Sequence, residues 1–196
     1  MAVILEGNFK EGWALAYHTI DSKLVDPEKK IFDTKRSQMG QVLYEIKYNE
    51  ELELNEKKIK MEFIINETIE LLQKKLNFFT VDVLIPTPPS KKRKFQPVIE
   101  IAREIGLRLK IQVDNNYIIK NKKTLELKNI ENSEEKLKEI SGVFKVRDKR
   151  YKNKTILLFD DIFQTGTTVN TISDLLYIEG EVKDVYVLTI TKTRKK

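Results

Sequence analysis

The sequence predicts an α/β protein with a central parallel sheet flanked by helices and a small N-terminal β-containing hood. Three observations predict it. The apolar runs VDVLIP and TILLF each pass through a loop into a stretch with helical spacing, and a further run, VYVLTI, follows the second of them. Strands that alternate with helices at this interval form parallel sheets with crossovers on both faces. A chain of 196 residues holds one main domain and a small addition, here read as 55–196 and 1–54 respectively.

The elements follow in order. The first ~50 residues read as short strands and turns: WALAYHTI runs into a polar stretch with Asp26-Pro27, and a second segment, 41–48, follows Gly40. From 55 to 77, Ile65, Ile69, Leu72 and Leu76 fall at i, i+4, i+7 and i+11 on one helical face. VDVLIP is a buried strand ended by Pro86, Pro88 and Pro89. The loop after it carries Lys91, Lys92, Arg93 and Lys94. Pro97 then opens a helix with Val98, Ile101, Ala102 and Ile105 on one face and Gly106 as its stop.

Leu107, Leu109, Ile111 and Val113 alternate with polar residues, the pattern of a half-buried strand. Residues 121–141 are polar, a mobile loop in their first half, with Asn132 and Glu135 spaced to cap a short helix. A strand over 155–159 leads to a loop over 160–168. Val169, Ile172, Leu175 and Leu176 then form the inner face of a helix closed by Gly180, and 185–190 supply another strand. The terminal TKTRKK reads as a fraying, solubilising tail.

Composition narrows the chemistry. Apolar residues at 40% and charged residues at 34% are the balance of a water-soluble globular protein. Cysteine is absent, which excludes disulfides, thiolate metal sites and Cys nucleophiles. The single histidine, His18, leaves little room for a zinc cluster or a Ser-His-Asp relay and reads as a structural or solvent-facing imidazole. No apolar run approaches the ~20 residues of a membrane helix, and the opening MAVILEGNFK lacks the basic and apolar parts of a signal peptide, so a cytoplasmic protein without membrane contact is expected. The net charge of +6 favours anionic partners without choosing among a nucleotide, a pyrophosphate and a nucleic-acid backbone.

The chemistry concentrates in LLFDDIFQTGTTV. An apolar strand delivers Asp160 and Asp161 to the carboxyl edge of the sheet, where open α/β proteins bind ligands. Two adjacent carboxylates there call for hydroxyls or a cation. Thr165, Gly166, Thr167 and Thr168 lead into a helix, and such a turn offers backbone N–H groups, hydroxyls and a positive dipole end to a phosphate. Carboxylates for a diol followed by an anion cradle match the two ends of a ribose 5-phosphate. Rival motifs fail on spacing: no lysine follows Gly166 as a P-loop requires, a dinucleotide fingerprint needs three glycines, and an aspartyl-phosphate hydrolase would want an acid where Ile162 stands.

LLFDDIFQTGTT resembles the phosphoribosyl pyrophosphate-binding motif of type I phosphoribosyltransferases. That resemblance implies their Rossmann-like fold, with Asp160 and Asp161 on the ribose hydroxyls and Gln164, Thr165, Gly166, Thr167 and Thr168 around the 5-phosphate. Gln164 stands where a small or hydroxyl residue is common in the family. VDVLIPTPPSKKRKFQPVIEIAREIG and TLELKNIENSEEKLKEISGVFKV are similar to stretches of ComF-like, competence-associated members, although the cysteine zinc ribbon that opens many of those chains is absent. The likeness spans roughly residues 35–192.

By the same resemblance, Thr87, Pro88, Lys92 and Arg93 would meet the pyrophosphate leaving group, Arg93 bridging two of its oxygens as a lysine does not. Asp160, Asp161 and Arg93 would be the catalytic residues. Mg²⁺ would be held mainly by the substrate and not by a protein cage. Residues 121–140 would be a lid, with Lys122 or Lys123 reaching the diphosphate, and Trp13, Tyr17 and the N-terminal strands are candidates to bind the unidentified nitrogen acceptor. Two alternatives stand beside an enzyme: a protein that only senses phosphoribosyl pyrophosphate, and a DNA-uptake factor binding nucleic acid through Lys91 to Lys94 and the tail. A homodimer is compatible with either.

Overall fold

Residues that are apolar on both faces of a strand can only sit in the middle of a covered sheet. The two stretches of this kind near the C-terminus do so. In the computed structural model, which describes residues 2–26, 31–76, 80–91, 94–120 and 143–194, they form β9 (Thr155–Phe163) and β10 (Asp184–Lys192), paired in parallel over their length. Outward on one side lie β5 (Val83–Pro86) and β6 (Gln112–Val113); on the other lie β2 (Glu11–Tyr17) and β1 (Val3–Ile4). The order is β1-β2-β10-β9-β5-β6, and every pairing is parallel except that of β1 with β2.

Helices cover both faces. On one, α4 (Thr167–Ile178) sends Val169, Ile172 and Leu176 against Ile156, Leu158 and Val187. On the other, α1 (Gln38–Tyr48), α2 (Leu54–Leu76) and α3 (Pro97–Leu109) pack on Leu157, Phe159 and Leu188. Two antiparallel ribbons complete the described residues: β3 (Thr19–Asp26) with β4 (Ile31–Arg36), and β7 (Ile118–Lys120) with β8 (Phe144–Val146). No helix of the described residues is long and apolar enough to cross a membrane.

The α/β class, the parallel sheet and the helices on both faces are as the sequence predicts. Local differences have physical causes. The segment 41–48 belongs to a helix, α1: Met39, Leu43 and Ile46 recur at i, i+4 and i+7 and are all buried, and Ser37 caps it by accepting the Gly40 N–H at 3.0 Å. Gly106 does not stop α3, which runs on to a left-handed Lys110. A Cβ at Gly106 would meet Val113 Cγ2 at 2.2 Å, so this glycine serves close packing of helix on strand. The alternation at 107–113 therefore belongs mostly to the end of α3, and only Gln112 and Val113 form a strand.

Strand β9 continues four residues beyond the expected 159, through both aspartates to Phe163, because β10 pairs with it up to Lys192. The tail is held as far as Arg194: Thr193 N–H donates to Phe163 O at 2.9 Å and Arg194 Nη1 to Ile20 O at 2.7 Å. Residues of the 1–54 segment are bound into the main sheet and core, since β2 pairs with β10 and α1 joins α2 through a 2.7 Å ion pair of Glu45 with Lys60. The expected lid at 121–140, with Lys122 and Lys123, lies outside the described residues.

Candidate functional site

Parallel strands end together, so the carboxyl edges of β5, β9, β10 and β2 gather Thr87, Asp160, Asp161, Thr191 and His18 along one rim. Successive side chains on a strand face opposite ways. Asp160 accordingly shares the α4 face with Ile156 and Leu158, and Asp161 shares the α1 face with Leu157 and Phe159.

On the α4 face, Thr87 Oγ1 donates to Asp160 Oδ1 at 2.7 Å, and the Asp161 N–H donates to the same oxygen at 2.8 Å. Burial and the neighbouring Asp161 charge still raise the Asp160 carboxyl above its ordinary value, with the two hydrogen bonds and Lys47 opposing them. Asp160 opens onto a pocket of about 80 Å³ that is lined otherwise by residues 162–169. That volume is several times the roughly 10–15 Å³ that admits a water.

The floor of the pocket is the turn before α4. Gly166 takes φ +78°, a left-handed conformation that side chains strain, and a Cβ there would meet Phe163 Cζ at 2.6 Å. No side chain caps α4 as Ser37 caps α1. The first N–H groups of a helix have no intrahelical acceptor; here the Thr167 N–H donates to Thr165 Oγ1 at 3.4 Å, and Thr165, Thr167 and Thr168 all line the pocket. Thr165 Oγ1 and Thr167 Oγ1 lie 2.8 Å apart, which orients both hydroxyls at its rim. Gln164 lines the same pocket and is exposed.

On the α1 face, Lys47 Nζ lies 2.7 Å from Asp161 Oδ2, with side chains 10% and 23% exposed. The sequence reading did not single out Lys47; helical spacing from the buried Leu43 and Ile46 was the signal that α1 would carry it inward. The geometry thus brings Asp160, Gln164, Thr165, Gly166, Thr167 and Thr168 to one pocket and turns Asp161 to a cation on the other face. Thr87 is 5% exposed and its hydroxyl serves Asp160. Pro88 is half-buried beside it. Lys92 and Arg93 lie outside the described residues, while Lys91 and Lys94 are exposed.

Trp13 is 1% exposed, stacked on Tyr186 with centroids 6.0 Å apart, so it is a core residue. Tyr17 is partly exposed at the end of β2, under the Arg194 guanidinium. His18 is half-buried, its Nδ1 3.0 Å from Thr191 Oγ1. Burial, then Arg36 and Lys47, lower its pKa.

No family model and no curated protein matches the sequence. Among solved structures the chain is similar to UMP synthase of Leishmania donovani, at 14% identity and a TM-score of 0.40, over 87% of this chain and 28% of that one. The chain spans 28% of that protein's length.

Proposed function

We propose that this chain is a phosphoribosyltransferase: it binds phosphoribosyl pyrophosphate with Mg²⁺ and transfers the phosphoribosyl group to a nitrogen acceptor, releasing pyrophosphate. The observation that carries the reading is that Asp160, on β9, and the N-terminal turn of α4 line one pocket. Its 5-phosphate end is the turn 164–168, where N–H groups and three threonine hydroxyls supply donors. At its ribose end the Asp160 carboxylate accepts a hydroxyl proton, and the Thr87 and Asp161 donors hold that carboxylate in place.

In this reaction the acceptor nitrogen forms a bond to the anomeric carbon as the bond to the pyrophosphate oxygen breaks. The acceptor's proton is lost, and positive charge develops on the ribose in between. The protein contributes by fixing both ends of the sugar and by placing carboxylates near that charge. Among the described residues no cluster of three or more acids or histidines forms a metal cage. The residues present would suit a cation carried in by the substrate's own oxygens, with Asp160 as a carboxylate that could join in holding it, because a buried acid beside a second acid gains from added positive charge. Held there, Mg²⁺ would supply positive charge to offset that of the leaving pyrophosphate.

Lys92 and Arg93 lie outside the described residues, and their assignment to the pyrophosphate rests on the sequence resemblance. The ComF-like character rests on the sequence resemblance, in a chain with no cysteine for a zinc ribbon.

The test is calorimetric titration of the protein with Mg²⁺ and phosphoribosyl pyrophosphate, beside Asp160→Asn and Thr168→Val. Binding by the wild type and loss in both folded variants is the expected result. Equal heats from all three proteins refute the site. Binding without pyrophosphate release across a panel of nitrogen acceptors would make the protein a sensor of the same ligand.

A further inference from the structure

A groove of about 630 Å³ runs between α2 and the edge strands β1 and β2, on the face of the sheet away from the pocket before α4. Its apolar lining is Ala2, Ile4, Trp13, Leu15 and Leu71. Trp13 is buried at its floor, whereas Ile4 stands 61% exposed and Leu71 is half-buried. Apolar surface left open to water around a concavity of this size marks an interaction site. Among the described residues β1 is the last strand of the sheet, but it has only two residues and its Ile4 carbonyl accepts from Lys192 Nζ at 2.8 Å. An edge this short and partly occupied does not template a further strand, so the groove is left to side-chain packing.

The charges at its border say what packs there. Glu67, Glu70, Lys74 and Lys75 line the groove from α2. With Leu71 they fall at i, i+3, i+4, i+7 and i+8, one face of the helix, the acids before the leucine and the bases after it. A partner must present the reverse order, and this chain does so when turned about a twofold axis through Leu71. Glu67 and Lys75 are each four positions from Leu71, so at 1.5 Å per residue both lie about 6 Å along the helix from the axis, and the acid of each copy meets the base of the other. Glu70 and Lys74 miss by about 3 Å, within the span of two flexible side chains.

Within one chain Lys74 pairs with Glu70 at 2.6 Å, but the two side chains are 69% and 62% exposed. Such a pair contributes little in water and exchanges readily for one across an interface. Lys75 Nζ sits 4.5 Å from the Trp13 ring centroid, over the groove floor. The four charges sum to zero, which lets two copies of net charge +6 approach here without setting like charge against like.

We infer that a second copy of this chain docks in the groove, α2 crossing α2 antiparallel at Leu71, which removes Ile4 and Leu71 from water. The dimer is independent of the phosphoribosyl reading and leaves the pocket before α4 open in both copies. Nine residues line the groove, fewer than the roughly 20–30 a side of a standard interface, so the dimer is weak, with a dissociation constant on the order of 1–100 μM.

Sedimentation velocity of the full chain from about 1 to 500 μM should show monomer–dimer exchange within that range. The double variants Glu67→Lys with Glu70→Lys, and Lys74→Glu with Lys75→Glu, each set like charge against like. Each should weaken self-association at least about 10-fold, and an equimolar mixture of the two should restore it. The chain has no cysteine, so a single introduced one reports position. Leu71→Cys, at the axis, should form an intermolecular disulfide under mild oxidation, and Ile59→Cys, 73% exposed on the same helix, should not.

A chain that stays monomeric at about 500 μM overturns the inference and leaves the groove to an unlike partner. So does a dimer that both charge variants leave intact, or one that cross-links through Ile59→Cys and not through Leu71→Cys. Should Leu71→Cys fail to fold by circular dichroism, the charge exchange between exposed residues decides.

Discussion

Replacing Lys47 with methionine removes the ammonium that faces Asp161 while keeping the apolar stem that packs α1 on the sheet. The pair is 2.7 Å long with 10% and 23% of the two side chains exposed, so neither charge is well solvated and neither is fully desolvated. Stranding a charge in that setting costs about 1.5–3 kcal/mol, the range for a charged hydrogen bond, and falls short of the fully buried limit. For a chain of 196 residues that predicts a loss of roughly 3–12 °C in melting temperature. The assay is thermal and urea unfolding of Lys47→Met, Asp161→Asn and the double variant. Each single change strands the other's partner, so the double variant should be less destabilised than the sum of the two. A coupling energy below about 0.5 kcal/mol would refute the pairing. Lys47 also holds down the proton affinity of Asp160, so Lys47→Met should weaken phosphoribosyl pyrophosphate binding most at neutral pH and less as pH rises.

Three further outcomes are expected. The Asp160 carboxyl is raised above its ordinary 3.8, so its contribution to stability is fully present below that value and is lost as pH rises through the folded-state value. Asp160→Asn keeps an acceptor for Thr87 and the Asp161 N–H and carries no charge. It should therefore be more stable than the wild type at pH 8, by urea unfolding, while losing ligand binding. Because the ligand's hydroxyls need Asp160 ionised, binding should release protons near neutral pH; heats that do not vary with the ionisation enthalpy of the buffer would count against this. Gly166→Ala forces a side chain into a left-handed turn and onto Phe163. It should cost about 1–2 kcal/mol and abolish phosphate binding, read by calorimetry on the folded variant.

What the sequence determined by itself is the pattern set by nearest neighbours along the chain. Apolar runs ended by prolines or acids mark strands, the spacing of Ile65 and Leu72 marks α2, and the order of acids, glycine and threonines before Val169 marks a strand end meeting a helix start. These are local because a strand alternates every two residues and a helix recurs every 3.6. Periodicity failed where two readings fit the same residues: Leu107 and Leu109 suit a strand or the last turn of a helix, and Val113 packing against Gly106 decided for the helix.

Only the tertiary structure decided what each acid faces. Asp160 and Asp161 are equivalent in sequence, yet the pleat sends one to Thr87 and the pocket before α4 and the other to Lys47, 114 positions away. Long-range partners of this kind leave no periodic trace, since nothing in the spacing of α1 says which strand its lysine will meet. The same holds for Trp13, whose burial against Tyr186 depends on β2 joining β10, and for Arg36, whose stacking on Tyr44 arises only once β4 and α1 meet.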